Sequence, residues 1–157
     1  MTHSLMTIRR ANEADLPAVV RLLADDPLGA LRERLSDPLP QAYRAAFAAM
    51  EAQTGNELLV AVAGDEVLGC LQLTLIPGIS RLGATRAQIE GVRVAAAHRG
   101  GGVGEALIRD AIARAAQAGC ALVQLTTDLS RPDAQRFYER LGFEATHVGF
   151  KLQITPA

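Results

Sequence analysis

Apolar residues follow two different periods along this chain, and the changes between them divide it into elements. Thr7 to Arg10 reads as a short strand. Asp15 stands where a helix N-cap belongs, and Pro17 follows in the first turn, where a missing N–H costs nothing. Leu16, Val19, Val20 and Leu23 recur at i, i+3, i+4 and i+7, which predicts a helix with one buried face. Residues 25–40 carry three prolines and mixed charge, so they read as irregular, with a helical turn around Leu31 to Leu35. A second helix is predicted from Gln41 to Gln53, with Ala42, Tyr43, Ala46, Phe47 and Met50 on one face.

After Gly55 the period shortens. Glu57 to Ala63 and Val67 to Ile76 are β-prone runs separated by Gly64-Asp65-Glu66, a hairpin signal. Pro77 to Ala84 reads as a loop, and Thr85 to Val94 as a strand that stops at a glycine cluster. From Val103 to Ala118 the helical period returns at its clearest. Val103, Leu107, Ala111 and Ala115 form a stripe that Ile108 and Ile112 widen, and Glu105/Arg109 and Asp110/Arg114 are i, i+4 pairs on the wet side. Gly119 supplies the helix stop. Ala121 to Thr127 reads as a buried strand, Asp133 to Leu141 as a short helix, and Phe143 to Ile154 as one or two closing strands. The order is β-α-α-β-β-β-α-β-α-β. A helix the length of 103–118 suits a crossover between parallel neighbours, while the strands before it are joined by hairpin-type turns. The class is therefore a mixed α/β or α+β sheet of six to seven strands with about four helices on its faces.

Composition narrows the function classes. The 157 residues fit one domain, with 49% hydrophobic and 21% charged residues, a globular balance that excludes disordered and low-complexity classes. A net charge of -1 advertises no nucleic-acid partner. Fifteen of the sixteen basic residues are scattered arginines, with Lys151 the only lysine. No stretch approaches the roughly 20 apolar residues of a spanning helix, and Met1 to Arg10 lacks a signal-peptide core. Cys70 and Cys120 lie in apolar sequence without metal-ligand spacing, so they read as core thiols, and no metal site is predicted. The expected location is the cytoplasm. His3 and His98 are expected at the surface.

The chemistry-bearing stretch is Arg99-Gly100-Gly101-Gly102-Val103-Gly104, which leaves a strand and opens the strongest helix. Glycines there leave backbone N–H groups uncovered at the positive end of the helix dipole, a geometry that binds a phosphate or pyrophosphate. A P-loop would need Lys-Ser/Thr where Glu105-Ala106 stand. A dinucleotide fingerprint would need a small residue where Leu107 or, in the other frame, Glu105 stands. The pattern Arg/Gln-x-x-Gly-x-Gly/Ala matches at every fixed position.

On those residues the chain resembles the GNAT superfamily of N-acetyltransferases. Ala134-Gln135-Arg136-Phe137-Tyr138-Glu139-Arg140-Leu141-Gly142-Phe143 resembles the family's second signature, and the element order agrees from Thr7 to the C-terminus. The resemblance implies a mostly antiparallel sheet and acetyl-coenzyme A as co-substrate. It implies that Val92, Arg93 and Val94 offer backbone groups to the pantetheine arm. Arg99, Gly100, Gly101, Gly102, Val103, Gly104 and Glu105 would hold the pyrophosphate. Tyr138 would protonate the departing thiolate, a task that suits a phenol of pKa ~10. Two positions depart from the pattern: Arg131 stands where many members have a coenzyme-touching Asn, and Thr126 where some have a glutamate base. Glu90, late in the fourth strand, is then the first candidate base, acting through water, with Asp128 second.

The resulting expectation is transfer of an acetyl group to the primary amine of a small molecule by direct attack in a ternary complex. A protein N-terminus or lysine as acceptor, or a non-catalytic acyl-coenzyme A sensor, are the alternatives. The acceptor pocket would be built by residues 25–40, the second helix and residues 77–86, and a homodimer through strand edges is a further expectation.

Overall fold

In the computed structural model, residues 5–155 are described, and two compact units divide the chain after Leu125. His3 lies outside the described residues. The first unit is built on a five-stranded sheet whose spatial order follows the chain: β1 (Thr7–Arg10), β2 (Asn56–Ala63), β3 (Glu66–Ile76), β4 (Arg86–Val94) and β5 (Leu122–Leu125). The first three pairings are antiparallel and β4–β5 is parallel. A two-residue turn, Gly64-Asp65, joins β2 to β3, with Gly64 at φ 60°, the left-handed backbone that such a hairpin demands.

Strand alternation sorts the core into two layers. Val60, Val62 and Cys70 face α1 (Leu16–Ala24), where Val19 and Leu22 meet them, with Phe47 of α3 (Gln41–Ala52) packed alongside. Leu23, which the periodicity places on this face, is half-buried and packs against the same cluster, and Leu22 is buried beside it. On α3, Tyr43, Phe47 and Met50 are half-buried, whereas Ala42 and Ala46 are exposed. The opposite layer holds Leu59, Leu71, Ile89, Leu107 and Ile108 among the fully buried side chains, each contributing about 1.5–3 kcal/mol. Leu107 and Ile108 come from α5 (Val103–Gln117), whose buried stripe is Val103, Leu107, Ile108, Ala111 and Ala115. Glu105–Arg109 (2.8 Å) and Asp110–Arg114 (2.6 Å) form the two i, i+4 pairs, and Arg114 also reaches Glu57 of β2 at 3.3 Å. Gly119 (φ 77°) ends the helix: the Cys120 N–H donates to the Ala115 carbonyl and the Gly119 N–H to that of Ala116.

Before α1, Asp15 does not cap through its own side chain in the expected way. Its carboxylate accepts the Asn12 N–H at 2.8 Å and pairs with both Arg9 nitrogens at 2.7 and 3.0 Å. The Arg9 hydrogen bonds hold its pKa below the usual carboxylate range against the opposing effect of burial. The irregular segment contains one short helix, α2 (Gly29–Arg32), slightly earlier than the turn expected at Leu31 to Leu35. Within the 77–84 loop, α4 (Ser80–Gly83) is a single turn with Arg81 (φ 55°) and Leu82 (φ 58°) in left-handed backbone.

The second unit begins at Thr126 and contains α6 (Pro132–Arg140). The strands expected between Phe143 and Ile154 are absent, so the described residues hold five strands and six α-helices rather than six to seven strands and about four helices. A period-two pattern makes a segment ready to be a strand, but membership of a sheet needs a partner, and none of the described residues pairs with this segment.

Candidate functional site

Strand β4 changes character along its length. Its first half is paired on both sides, with Arg86 to Ile89 beside Leu122 to Leu125 of β5 and beside Ile76 to Leu73 of β3. From Glu90 onward the β5 side is unpaired. On the β3 side Gln72 opposes Glu90 and Cys70 opposes Arg93, so Gly91 and Val92 together face Leu71. That is a β-bulge, and Gly91 takes it up at φ 61°. The extra residue puts Glu90 and Arg93 on the same face of the strand. A glycine inside a strand pattern is a bulge signal.

Beyond Val94 the chain passes through a short 3-10 turn, Ala96–His98, into the glycines. Gly100 (φ 76°) and Gly102 (φ 84°) use backbone that L side chains rarely adopt, and a Cβ on either would meet nothing within 4 Å. Their surroundings are open. Gly102 is the N-cap of α5 and has no side chain to offer its first N–H groups. The first intrahelical bond there runs from the Ala106 N–H to the Gly102 carbonyl, which leaves the N–H groups of Val103, Gly104 and Glu105 for a ligand. The helix start is pinned against the sheet at Gly69 of β3, where a Cβ would meet the Arg93 carbonyl at 2.8 Å, Leu107 at 3.0 Å and Val103 at 3.1 Å. Arg99 is half-committed locally: its Nε donates to the Val94 carbonyl at 3.2 Å, and Asp25 lies 3.5 Å from its Nη2. His98 is not simply solvated, since its Nε2 is 3.0 Å from Glu66.

On the face that carries α1 and α3, the polar positions continue across four strands, β2 to β5. Gln72 donates to Asn56 at 2.9 Å, and Gln124 donates to Gln88 at 2.7 Å. Arg86, Gln88 and Glu90 share this face on β4. Glu90 is exposed and its carboxylate has no hydrogen bond or ion pair among the described residues. Arg86 is half-buried and has no ion pair among them either. Arg93 is engaged instead: its Nε is 3.0 Å from Asp26 and its Nη1 donates to the Val92 carbonyl at 2.8 Å, so its side chain braces the bulge. Neither Arg86 nor the Asp26 partner of Arg93 was legible before the register was known.

A cleft of about 490 Å³ is lined by Pro17, Arg21, Arg44 and residues 35–39. Its walls come from residues 35–39 and α3, both expected in the acceptor pocket, and from α1, which was not, and none of them belongs to β4 or the glycine loop. Cys70 is buried, and burial pushes its thiol up to about 12. Cys120 is half-buried and also raised by burial, so neither is an activated nucleophile. No cluster of metal-ligating side chains occurs among the described residues.

In the second unit, Tyr138 lies on α6, with its ring 5.2 Å from that of Phe137 and 5.9 Å from that of Phe143, both edge-on. Asp128 is exposed and accepts hydrogen bonds from the Ser130 hydroxyl (2.6 Å) and N–H (2.9 Å). Those bonds hold its pKa below the usual range, which makes it a weaker base than a free carboxylate.

Residues 17–143 match the Acetyltransferase (GNAT) family. The chain is 30% identical over 147 residues to an aminoalkylphosphonate N-acetyltransferase of Salmonella typhimurium, covering 91% of this chain and 88% of that protein. It is also 30% identical over 152 residues to a glucosamine 6-phosphate N-acetyltransferase of Trypanosoma brucei brucei, covering 95% and 96% respectively. Among solved structures, a protein of Bacillus halodurans C-125 described as a transcriptional regulator is 51% identical, with a TM-score of 0.93 over 96% of this chain and all of that one.

Proposed function

The chain belongs to the GNAT acetyltransferase family and is an acyltransferase, and from that premise we propose that it moves an acetyl group from acetyl-coenzyme A to the primary amine of a small molecule by direct attack in a ternary complex. The observation that carries this reading is the run from the bulged half of β4 into the open glycines and uncapped N–H groups of α5. Bound there, the coenzyme supplies an acetyl thioester already activated toward nitrogen. The N–H groups of Val103, Gly104 and Glu105, with Gly100, Gly101 and Gly102 leaving room, suit its pyrophosphate. The unpaired side of Val92, Arg93 and Val94 suits the amides of its extended arm. The family match spans both units, which supports reading the whole chain as one acetyltransferase domain.

Two proton transfers complete the reaction. Glu90, unpaired and exposed beside the bulge, takes the ammonium proton through an ordered water, freeing the nitrogen lone pair. Tyr138 gives its phenolic proton to the departing thiolate. Asp128 is set aside as base because its carboxylate is already occupied by Ser130.

The acceptor reading is an amine that also carries an anionic group. Both relatives named above act on an amine that bears a phosphonate or a phosphate. On this chain Arg86 is a half-buried cation without an ion pair among the described residues, four residues and about 13 Å of strand from Glu90. A molecule spanning the two would place its amine near Glu90 and its anion near the guanidinium. The description of the Bacillus halodurans protein as a regulator favours a second reading, an acyl-coenzyme A sensor without turnover. Calorimetry with acetyl-coenzyme A, followed by thiol release over a panel of plain and phosphorylated amines, separates them. Binding with release, strongest on the anionic amines and weakened for those alone by Arg86→Ala, is expected. Binding without release on any amine favours the sensor, and no binding removes the glycine-loop assignment.

A further inference from the structure

Two consecutive acids follow α1, and each meets an arginine of β4 or of the glycine loop. Asp25 lies 3.5 Å from Arg99 in a pair more than half exposed on both sides, which is worth little in water. Asp26 differs. Its Oδ2 is 3.0 Å from the Arg93 Nε, and the two side chains are only 15% and 18% exposed. That Nε is buried and makes no hydrogen bond among the described residues, so the Asp26 charge is what compensates it. Asp26 is also firmly held. Its Oδ1 accepts the Gly29 N–H at 2.5 Å and its carbonyl accepts the Ala30 N–H at 2.8 Å, which ties it to the start of α2. Gly29 is buried, and a Cβ there would run into the Leu23 carbonyl oxygen, so the turn that carries Asp26 sits tightly on the end of α1. At the other end, the Arg93 Nη1 donates to the Val92 carbonyl at 2.8 Å, and the Cys70 Sγ lies 3.7 Å from the Gly91 carbonyl. The backbone of the bulge is thus held at both of its residues.

We propose that Asp26 is a positioning residue for the extended arm of the coenzyme. Through the Arg93 guanidinium it sets the 91–93 backbone along which the arm lies, and it anchors that backbone to the segment expected to build the acceptor pocket. The inference rests on the acetyl-coenzyme A reading and extends it to a residue outside β4 and the glycine loop. The pyrophosphate is held at α5, so the effect of Asp26 is confined to the arm. By linkage the arm reports back: a ligand that fixes the bulge also steadies Asp26, and with it the amides of Gly29 and Ala30.

The test is calorimetry on the full chain with acetyl-coenzyme A and with ADP, which offers a pyrophosphate without the arm. Asp26→Asn keeps the oxygen that accepts the Gly29 N–H and removes the charge that faces Arg93. It should raise the Kd for acetyl-coenzyme A roughly tenfold and leave that for ADP within about twofold. Asp25→Asn should leave both within about twofold. Asp26→Asn combined with Arg93→Gln leaves no orphaned charge, so it keeps the test open if the single change unfolds the chain. That double variant should bind acetyl-coenzyme A no more weakly than Arg93→Gln alone, because Asp26 acts through Arg93. Hydrogen exchange at Gly29 and Ala30 should slow when acetyl-coenzyme A binds and not when ADP binds. An Asp26→Asn chain with the parent's affinity for acetyl-coenzyme A, or one that loses both ligands equally, would overturn the inference and leave the coenzyme reading standing. A parent chain that binds no acetyl-coenzyme A would overturn both.

Discussion

Replacing Gly102 by valine separates the cost of a left-handed backbone from the cost of a blocked ligand. Gly102 holds φ 84°, ψ 0° as the N-cap of α5, and a Cβ there meets no protein atom within 4 Å. The folded chain therefore has room for the side chain and bears only the conformational strain, about 1–2 kcal/mol. In a chain of this length that lowers Tm by roughly 2–8 °C. The ligand suffers more. The new side chain fills the open space in front of the Val103, Gly104 and Glu105 N–H groups. Charge-assisted hydrogen bonds are worth about 1.5–3 kcal/mol each. Losing two of them raises the Kd for acetyl-coenzyme A by roughly 10²–10⁴-fold. Gly69→Ala is the complementary change. Its Cβ would lie 2.8 Å from the Arg93 carbonyl and 3.0 Å from Leu107, so overpacking costs about 1–3 kcal/mol of stability while the N–H groups of α5 stay open. Titration calorimetry and a thermal melt on both variants give the two numbers each. A Gly102→Val protein that binds within about twofold of the parent Kd would refute the loop as the pyrophosphate site.

Four further outcomes are expected. Glu90→Gln should lower kcat by about 10²–10⁴-fold with coenzyme affinity intact; an unchanged kcat under saturating amine would take the base role from Glu90. Tyr138→Phe should likewise lower turnover rather than coenzyme binding, read by the same thiol-release assay against calorimetry. A thiol reagent at mild alkaline pH should modify Cys120 in the folded protein and reach Cys70 only on unfolding, because burial pushes the Cys70 thiol up to about 12; two fast thiols would contradict the packing. Asp15→Asn should cost about 1 kcal/mol at neutral pH, allowing for the exposure of Arg9. Because the folded pKa of Asp15 is depressed, its contribution is present above the unfolded value near ~3.9 and fades as pH falls through the lower folded value. Melts of parent and variant should therefore converge in acid, and a gap that widens there would reverse the sign of the argument.

What the sequence made legible depended on how local each cause is. Helix α5 could be read nearly to the residue because its stripe, its two ion pairs and its Gly119 stop are all encoded within a few positions of one another. The glycine loop was legible for the same reason, since Gly100 and Gly102 need their own φ whatever surrounds them. The bulge was not, because it exists only as a mismatch of count between β3 and β4: Cys70 and Gln72 are two apart while Arg93 and Glu90 are three apart. The engagement of Arg93 with Asp26 was hidden likewise, since it joins residues far apart in sequence. The closing strands failed for a third reason. Their alternation from Val148 to Ile154 is real, but alternation specifies a face, and what lies against that face is a separate fact.

The division of labour within β4 follows from those pairings. A strand held on both sides cannot shift without breaking two ladders, so Arg86 to Ile89 form a fixed base for the side chains beyond them. A strand held on one side only keeps that position while leaving its other edge of N–H and C=O groups unpaired. Glu90 stands at the junction, close enough to the doubly paired half to be positioned and past the last β5 pair, where a ligand can approach. The bulge then adds what a regular strand cannot supply: residues 90 and 93 on one face, with the backbone of Gly91 and Val92 displaced between them. In a regular ladder Arg93 would point to the α5 side, and its ion pair with Asp26, next to the end of α1, could not form. The exposed edge thus follows from the end of the β5 pairing at Ile89, and the left-handed Gly91 is what lets Arg93 reach Asp26 beside it.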